Sequence, residues 1–159
     1  MSLQLTSPAF ADGGLIPAEH TCDGANTMPP LTIADVPSDA KSLVLVMDDP
    51  DIPQEVKDVK GIEKFDHLAL YNIPSDTETI SESSAYPAGL TSAGTIDYVG
   101  PCPPADLQPR EHRYVFRLYA LPEPLDFDEP PTLDALEVAA QAVALDSAAL
   151  TGRYARQPQ

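Results

Sequence analysis

Four side chains that can take part in acid–base chemistry or hydrogen bonding lie at the ends of apolar segments. Asp49 follows the apolar run 42–47, His67 opens a second apolar run, and His112 and Tyr114 open a third. The two-residue spacing places His112 and Tyr114 on the same face of a strand. A protonated imidazole and a phenol can donate to phosphate or carboxylate oxygens, and a carboxylate favours the protonated imidazole or accepts a bond from an amine. These residue types predict a pocket for a small anion, including a phosphate head group that carries an amine.

Two proline-rich loops accompany these residues. The segment 48–53 contains three aspartates and two prolines, which cannot continue a central strand, so Pro50 and Pro53 would hold Asp49 in a fixed place. The segment 100–104, Gly-Pro-Cys-Pro-Pro, predicts a rigid, open rim where a ligand approaches backbone N–H groups.

Each of these residues also has a purely structural interpretation, as a turn carboxylate, a histidine at a strand edge or a core tyrosine. An enzyme that uses Asp49 with His67 or His112 as acid and base is a further alternative, and the same set could hold a metal. The chain has no nucleophile-elbow motif, HExxH motif or phosphate-binding loop. We therefore predict a protein that is not an enzyme and has no cofactor or metal.

The hydrophobic pattern predicts a mainly β fold. Continuous or alternating apolar runs predict strands over 42–47, 67–73 and 113–121, with a closing strand over 148–154. Thr132 is placed to cap a helix whose apolar side chains recur at helical spacing, at Leu133, Leu136, Ala140 and Val143. Residues 54–66 and 75–97 are expected to be exposed loops. Antiparallel strands with long connections favour a β-sandwich-like architecture.

Length and charge limit the possible functions. The 159 residues fit one domain, 1–159, and the net charge of −16 disfavours binding to nucleic acid or to an anionic membrane surface. Neither a signal peptide nor an apolar run long enough to insert into a membrane is apparent, so a cytoplasmic location is expected. The acidity fits either an ordinary acidic protein or adaptation to high salt.

The two cysteines, Cys22 and Cys102, do not form a CxxC motif. Two reduced thiols are the favoured interpretation for a cytoplasmic protein, and a disulfide between them is the alternative. His20, in an early loop, is expected to be a surface residue.

In its ordered set of short motifs, the chain resembles the phosphatidylethanolamine-binding family, in its bacterial and archaeal Raf kinase inhibitor-like branch. The motifs span residues 8 to 156 and include Thr21-Cys22-Asp23-Gly24-Ala25-Asn26, Asp49-Pro50-Asp51-Ile52-Pro53, Asn72-Ile73-Pro74, Gly100-Pro101-Cys102-Pro103-Pro104, His112-Arg113-Tyr114 and Leu150-Thr151-Gly152-Arg153-Tyr154. His67 is followed by Leu68 where the family often has Trp, which predicts that one aromatic wall of the pocket is missing.

The resemblance implies an antiparallel β-sandwich-like fold with a helix near the C-terminus and an anion pocket at one end. The ligand-binding residues that it implies are Asp49, His67, Gly100, Cys102, Pro103, His112 and Tyr114. Asp51 would brace the loop beside Pro50 and Pro53.

The residues and the resemblance together imply three functions, and the kinase or protease partner is implied by the resemblance. The first is non-enzymatic binding of phosphate or a phosphoethanolamine-like ligand, with an effect on a kinase or protease partner. The second is inhibition of a protease or kinase through the outer surface, independent of the pocket. The third is the hydrolase described above.

Overall fold

A computed structural model describes residues 1–156 of the chain. In chain order, the elements are β1 Gln4–Thr6, β2 Leu31–Ala34, β3 Ser42–Asp49, α1 Gln54–Lys60, β4 Phe65–Pro74, β5 Thr79–Ile80, β6 Glu111–Leu121, α2 Leu133–Val143 and β7 Asp146–Ala155, with short 3₁₀ turns at Ala18–His20 and Ser83–Ala85. The described part of the chain is therefore mainly β, as the sequence predicts.

The larger sheet has four antiparallel strands in the order β4-β3-β6-β7. Every residue of β3 is buried, because strands flank it on both sides and both of its faces are covered. Along β6, Tyr114, Phe116 and Leu118 are fully buried in one core cluster, whereas Tyr119 belongs to another. The alternation predicted for this strand is confirmed.

The two faces of the large sheet carry separate cores. One face packs against the small sheet, β1-β2-β5, through side chains such as Leu31, Ile33 and Ile80. The other face, around Val44 and Val46, packs against α2. The fold is thus a β-sandwich with a helix on the outer face of the larger sheet.

Helix α2 begins where the sequence predicts. The Oγ1 of Thr132 accepts a hydrogen bond of 3.1 Å from the backbone N–H of Ala135, which satisfies one unpaired donor of the first turn. Leu133, Leu136 and Ala140 are fully buried against the sheet, whereas Val143, at the helix end, is exposed.

An ion-pair network ties α2 to the sheet. The guanidinium of Arg117 on β6 donates to Glu137 of α2 and to the buried carboxylate of Asp48. Lys64 also contacts Asp48, and it pairs with Asp66. These groups lie on the outer face of the sheet, opposite to Tyr114.

Two segments predicted to be loops contain regular structure. Residues 54–60 form helix α1, which ends at Gly61 in the left-handed conformation, with φ of 67°. The prediction missed α1 because the helix buries no residue and therefore lacks the apolar periodicity that reveals an amphipathic helix. Residues 79–80 form β5, too short to show alternation. Within residues 1–156, no helix has the length and apolarity needed to cross a membrane.

Candidate functional site

The topology of the large sheet brings the predicted site residues to one edge. Strand β3 runs antiparallel to both β4 and β6, so its C-terminal end lies beside their N-terminal ends. Asp49 is the last residue of β3 and pairs with Phe65 of β4, while His67 and His112 lie near the starts of β4 and β6. Side chains that are distant in sequence therefore meet at this edge.

A cavity of about 290 Å³ opens here. All seven predicted ligand-binding residues lie in its wall, which consists of Asp49, Ile52, Pro53, Val56, Lys60, Phe65, His67, Val99, Gly100, Cys102, Pro103, Pro104, His112 and Tyr114. The geometry brings these residues together, and their role in binding stays a prediction.

Asp49 and His112 form a buried pair at the base of the cavity. The Oδ2 of Asp49 lies 2.6 Å from Nδ1 of His112, and the Nε2 of His112 lies 2.9 Å from the carbonyl oxygen of Pro109. Both ring nitrogens of His112 therefore face oxygen atoms of the protein. The Oδ1 of Asp49 accepts a 2.7 Å bond from the backbone N–H of Asp51. Each oxygen of this carboxylate is thus engaged within the protein.

His67 has one ring nitrogen in use and one available. Its Nδ1 lies 2.5 Å from the carbonyl oxygen of Val99, so the N–H is on Nδ1, and Nε2 has no hydrogen-bond partner among residues 1–156. Burial lowers the pKa of His67, an effect that the bond to Val99 and the charge of Asp49 only partly offset. The lowered pKa favours the neutral ring.

The hydroxyl of Tyr114 is buried and makes no well-formed hydrogen bond, although the carboxylate of Asp49 lies near it. This hydroxyl is the one buried side-chain oxygen or nitrogen in the described part of the chain that makes no hydrogen bond. Burial, followed by the charge of Asp49, raises the pKa of this hydroxyl well above its usual range, so it remains a donor. The rings of His67 and His112 pack against the ring of Tyr114, with centroid distances of 5.3 and 6.3 Å.

The rim of the cavity rests on an early loop. Cys22 and Cys102 form a disulfide, and the N–H of Cys22 donates to the carbonyl of Pro101. The interpretation as two reduced thiols is therefore wrong, because the fold brings two cysteines that are 80 residues apart to a Cα separation of 5.4 Å. Sequence spacing cannot show such proximity.

A glycine is needed at position 100 because neighbouring atoms pack closely against its Cα. The open rim that the sequence predicts is not the reason. A Cβ at this position would lie 1.9 Å from the Oδ1 of Asn26 and 2.8 Å from the carbonyl oxygen of His20. His20 itself is buried, with its Nδ1 2.9 Å from the carbonyl oxygen of Thr27. The prediction of a surface position for His20 is wrong, because this loop folds back under the rim.

The predicted support residues occupy different places. Asp51 lies outside the cavity wall and pairs with Arg113 through both carboxylate oxygens, at 2.8 and 2.9 Å, and this pairing lowers the pKa of Asp51. Pro50 is also outside the wall, whereas Pro53 is in the wall and precedes helix α1.

Sequence reasoning missed six wall residues. They are Ile52, Val56, Lys60, Phe65, Val99 and Pro104. Phe65 could have been found from strand parity, since it lies two residues before His67 on the same face, with ring centroids 4.8 Å apart. Phe65 supplies an aromatic ring to the wall, whereas Leu68 does not line the cavity. Val56 and Lys60 lie on α1, which carries no sequence signal for a site.

Metal binding has no support in the geometry of the described residues. Across positions 1–156, no group of three or more His, Cys, Asp or Glu side chains is arranged to hold a metal ion.

Comparison with known proteins covers nearly the whole chain. A sequence model of the phosphatidylethanolamine-binding protein family matches residues 6–155. A UPF0098 protein from Chlamydia pneumoniae is 40% identical over 154 residues, covering 96% of this chain and 98% of that protein. A UPF0098 protein from Methanothermobacter thermautotrophicus is 38% identical over 162 residues, covering 97% and 99%.

Solved structures agree with the sequence comparison. The crystal structure of CT736 from Chlamydia trachomatis, described as a phosphatidylethanolamine-binding protein homologue, superimposes with a TM-score of 0.87 at 37% identity, covering 98% of this chain and 99% of that chain. Both the sequence match and the shared fold extend through β3, β4 and β6, which carry the candidate site. The chain belongs to the phosphatidylethanolamine-binding protein family.

Proposed function

We propose that the chain is a single-domain binding protein that holds a small oxyanion, a phosphate or a phosphorylated group, in the cavity at the edge of the large sheet. The observation that carries the proposal is the Tyr114 hydroxyl. A buried donor without a partner costs about 1–3 kcal/mol of stability, so its presence in a cavity wall favours a ligand that supplies an acceptor.

The remaining free groups suit the same ligand. The Nε2 of His67 is available at the wall, and a bound anion favours protonation of this nitrogen. Lys60, an exposed residue, also lies in the wall and adds a positive charge to it. A phenol, a protonated imidazole and an ammonium are all donors that suit an oxyanion.

Asp49 and His112 form a preorganised floor of the cavity. Their contact is buried and each polar atom of the pair is already engaged, so they fix the position of neighbouring groups without needing a ligand. His112 also packs against the ring of Tyr114, which limits where the free hydroxyl can turn. Binding to such a prepared site loses little conformational entropy.

The first test is calorimetric titration of inorganic phosphate into the wild-type protein and the Tyr114→Phe variant. We expect about one site per chain in the wild type and roughly tenfold weaker binding in Tyr114→Phe, since a hydrogen bond to a charged group contributes about 1.5–3 kcal/mol. Tyr119→Phe is the matched control. Tyr119 lies on the same strand, and its hydroxyl donates to Glu137 on the opposite face.

Equal affinities for the wild type and Tyr114→Phe would remove the basis of the proposal. Weakening by Tyr119→Phe as large as by Tyr114→Phe would show that the loss reflects the strand as a whole rather than the cavity.

A further inference from the structure

We infer that helix α1 is a gate that controls entry to the cavity, and that the gate opens when this helix unwinds locally. The inference concerns access to the cavity, so it does not depend on which ligand the cavity holds. It arises from the contrast between the buried side chains of the cavity and the weak attachment of the helix beside them.

The polar side chains of the cavity are closed off from solvent. Asp49, His67, His112 and Tyr114 each expose between 0% and 4% of their surface, although the cavity has a volume of about 290 Å³. The hydroxyl of Tyr114 is itself buried. A solute that reaches these groups from solvent therefore needs one of the wall elements to move aside.

Two parts of the wall are firmly held. The strand ends belong to β3, β4 and β6, which are hydrogen-bonded neighbours in the large sheet. The rim, residues 100–104, is tied to the early loop by the disulfide between Cys22 and Cys102 and by the hydrogen bond from the N–H of Cys22 to the carbonyl of Pro101. Moving either part would break sheet hydrogen bonds or a covalent bond.

Helix α1 is held by local contacts. The N–H groups of Val56 and Lys57 donate to the carbonyl of Pro53, and the N–H of Gly61 donates to the carbonyl of Lys57. One further hydrogen bond joins two side chains of the helix itself. Among residues 1–156, no hydrogen bond joins α1 to a strand or to α2, and α1 buries no residue. This helix is therefore the wall element that moves at least cost.

The length of α1 favours local unwinding over movement as a rigid body. The helix has seven residues, whereas isolated helices shorter than about 12–15 residues are marginal in water and depend on tertiary packing. Before the helix, the buried residues Ile52 and Pro53 hold the chain in place. After it, Gly61 has a φ of 67° and no neighbouring atom within 4 Å of the position of a Cβ. The segment between these points can open while the rest of the fold stays intact.

The orientation of α1 links its unwinding to the cavity. Val56 and Lys60 lie one helical turn apart, and both are in the cavity wall. Val59 is 85% exposed and lies outside the wall. Unwinding the helix withdraws Val56 and Lys60 from the wall together, and this opens the cavity to solvent.

The test changes the stability of α1 at an exposed position that does not line the cavity. Gly in a helix interior lowers the helix population relative to Ala by up to about fivefold. We therefore compare Val59→Gly with Val59→Ala and expect the unwound state to be about threefold more populated in the Gly variant, because position 59 is near the helix end. The same pair at Val138, 67% exposed on α2, is the matched control, since buried side chains anchor α2 on the opposite face of the sheet.

Two measurements report the opening without any ligand. Hydrogen exchange followed by NMR should show α1 amides exchanging much faster than those of α2, and about threefold faster in Val59→Gly than in Val59→Ala. The second measurement is the rate at which diethyl pyrocarbonate modifies His67, followed by peptide mass mapping. The Nε2 of His67 bonds to no described residue, so it can react once the reagent enters. We expect the same threefold ratio for the Val59 pair and equal rates for the Val138 pair.

Three outcomes would overturn the inference. If the amides of α1 exchange as slowly as those of α2, the helix does not unwind on its own. If α1 exchanges quickly but His67 reacts at the same rate in both Val59 variants, unwinding does not control access. If the Val138 pair differs as much as the Val59 pair, the effect reflects the stability of the whole domain. Failure of phosphate to bind would remove the proposed function alone, because neither measurement uses a ligand.

Discussion

The carboxylate of Asp49 and the imidazole of His112 are joined by a 2.6 Å contact between two side chains that are both almost completely buried. This contact connects the C-terminal end of β3 to the N-terminal end of β6. Because the second ring nitrogen of His112 faces the carbonyl of Pro109, the ring is fixed in orientation as well as in position. The pair organises the base of the cavity, and Tyr114 and His67 present the groups that remain free.

The first prediction concerns the stability that this pair provides. Asp49→Asn replaces the carboxylate that contacts His112 in this buried pair, and we expect the free energy of unfolding to fall by about 3 kcal/mol. Asp51→Asn is the matched control, with the same change two residues away. The side chain of Arg113, the partner of Asp51, is 59% exposed. We therefore expect Asp51→Asn to lower the free energy of unfolding by less than about 1 kcal/mol. Urea unfolding monitored by circular dichroism measures both, and a smaller loss for Asp49→Asn than for Asp51→Asn would contradict the prediction.

The second prediction concerns the pH dependence of anion binding. Burial lowers the pKa of His67, so at neutral pH the ring must take up a proton to meet an anion with an N–H donor. We expect the affinity for sulfate, whose own charge is constant between about pH 5 and 8, to increase as the pH falls through that range. Titrations in two buffers of different ionisation enthalpy should show proton uptake on binding. In the His67→Gln variant, no proton should be taken up when sulfate binds. Proton uptake that persists in this variant would show that another group is protonated.

The third prediction follows from the same pKa for the unliganded protein. The unfolded chain has His67 near its ordinary pKa, whereas in the folded state this pKa is lowered. Below pH 6.5, the unfolded state therefore binds more protons, and the stability contributed by neutral His67 is lost as the pH falls from about 6.5. We expect the melting temperature of the wild type to fall more steeply between about pH 7 and 5 than that of His67→Gln. Identical slopes would show that His67 does not change its protonation on unfolding.

The fourth prediction concerns the disulfide at the rim. Cys22 and Cys102 close a loop of 80 residues, which contributes about 4 kcal/mol in the chain-entropy model. Both residues are exposed, so a small dithiol can reach the bond. We expect reduction to lower the free energy of unfolding by roughly this amount and to weaken phosphate binding several-fold, because the rim loses its covalent link to the early loop. The variant Cys22→Ser/Cys102→Ser should resemble the reduced protein and should not respond to the dithiol.

The fifth prediction tests the network on the outer face of the sheet. Arg117 pairs with the buried Asp48 and with Glu137, and these carboxylates raise the pKa of its guanidinium. We expect Arg117→Met to lower the free energy of unfolding by about 3 kcal/mol, since it leaves much of the charge of Asp48 uncompensated. Arg113→Met breaks the exposed pair with Asp51 and should lower the free energy of unfolding by less than about 1 kcal/mol. Phosphate affinity should be unchanged in the Arg117 variant, because the network lies on the face opposite to the cavity.

Periodicity in the sequence was enough to predict the elements that bury a face. The continuously apolar run 42–47 predicts β3, and alternation predicts the burial of Tyr114 and Phe116 on β6. The cap at Thr132 and the spacing of apolar residues predict α2. The elements it missed, β1, α1 and β5, are too short or bury too little for a pattern to form.

Part of the candidate site was also accessible from the sequence. The chemistry of Asp49, His67, His112 and Tyr114 and their positions at strand ends indicate a pocket before any contact is known. Because β3 pairs antiparallel with both β4 and β6, the strand ends that carry these residues lie side by side. The resemblance to the family added the rim residues.

Only the tertiary structure decided how those groups are used. Contacts between distant segments cannot be read from local sequence, because any one residue has many possible partners. The fold shows that Cys22 and Cys102 are bonded, that His20 is buried and that both oxygens of Asp49 are engaged. It also leaves the Tyr114 hydroxyl free and places α1 at the mouth. The sequence by itself determined the residue types and the strand ends that carry them, and the packing of those strands decided which donors remain for a ligand.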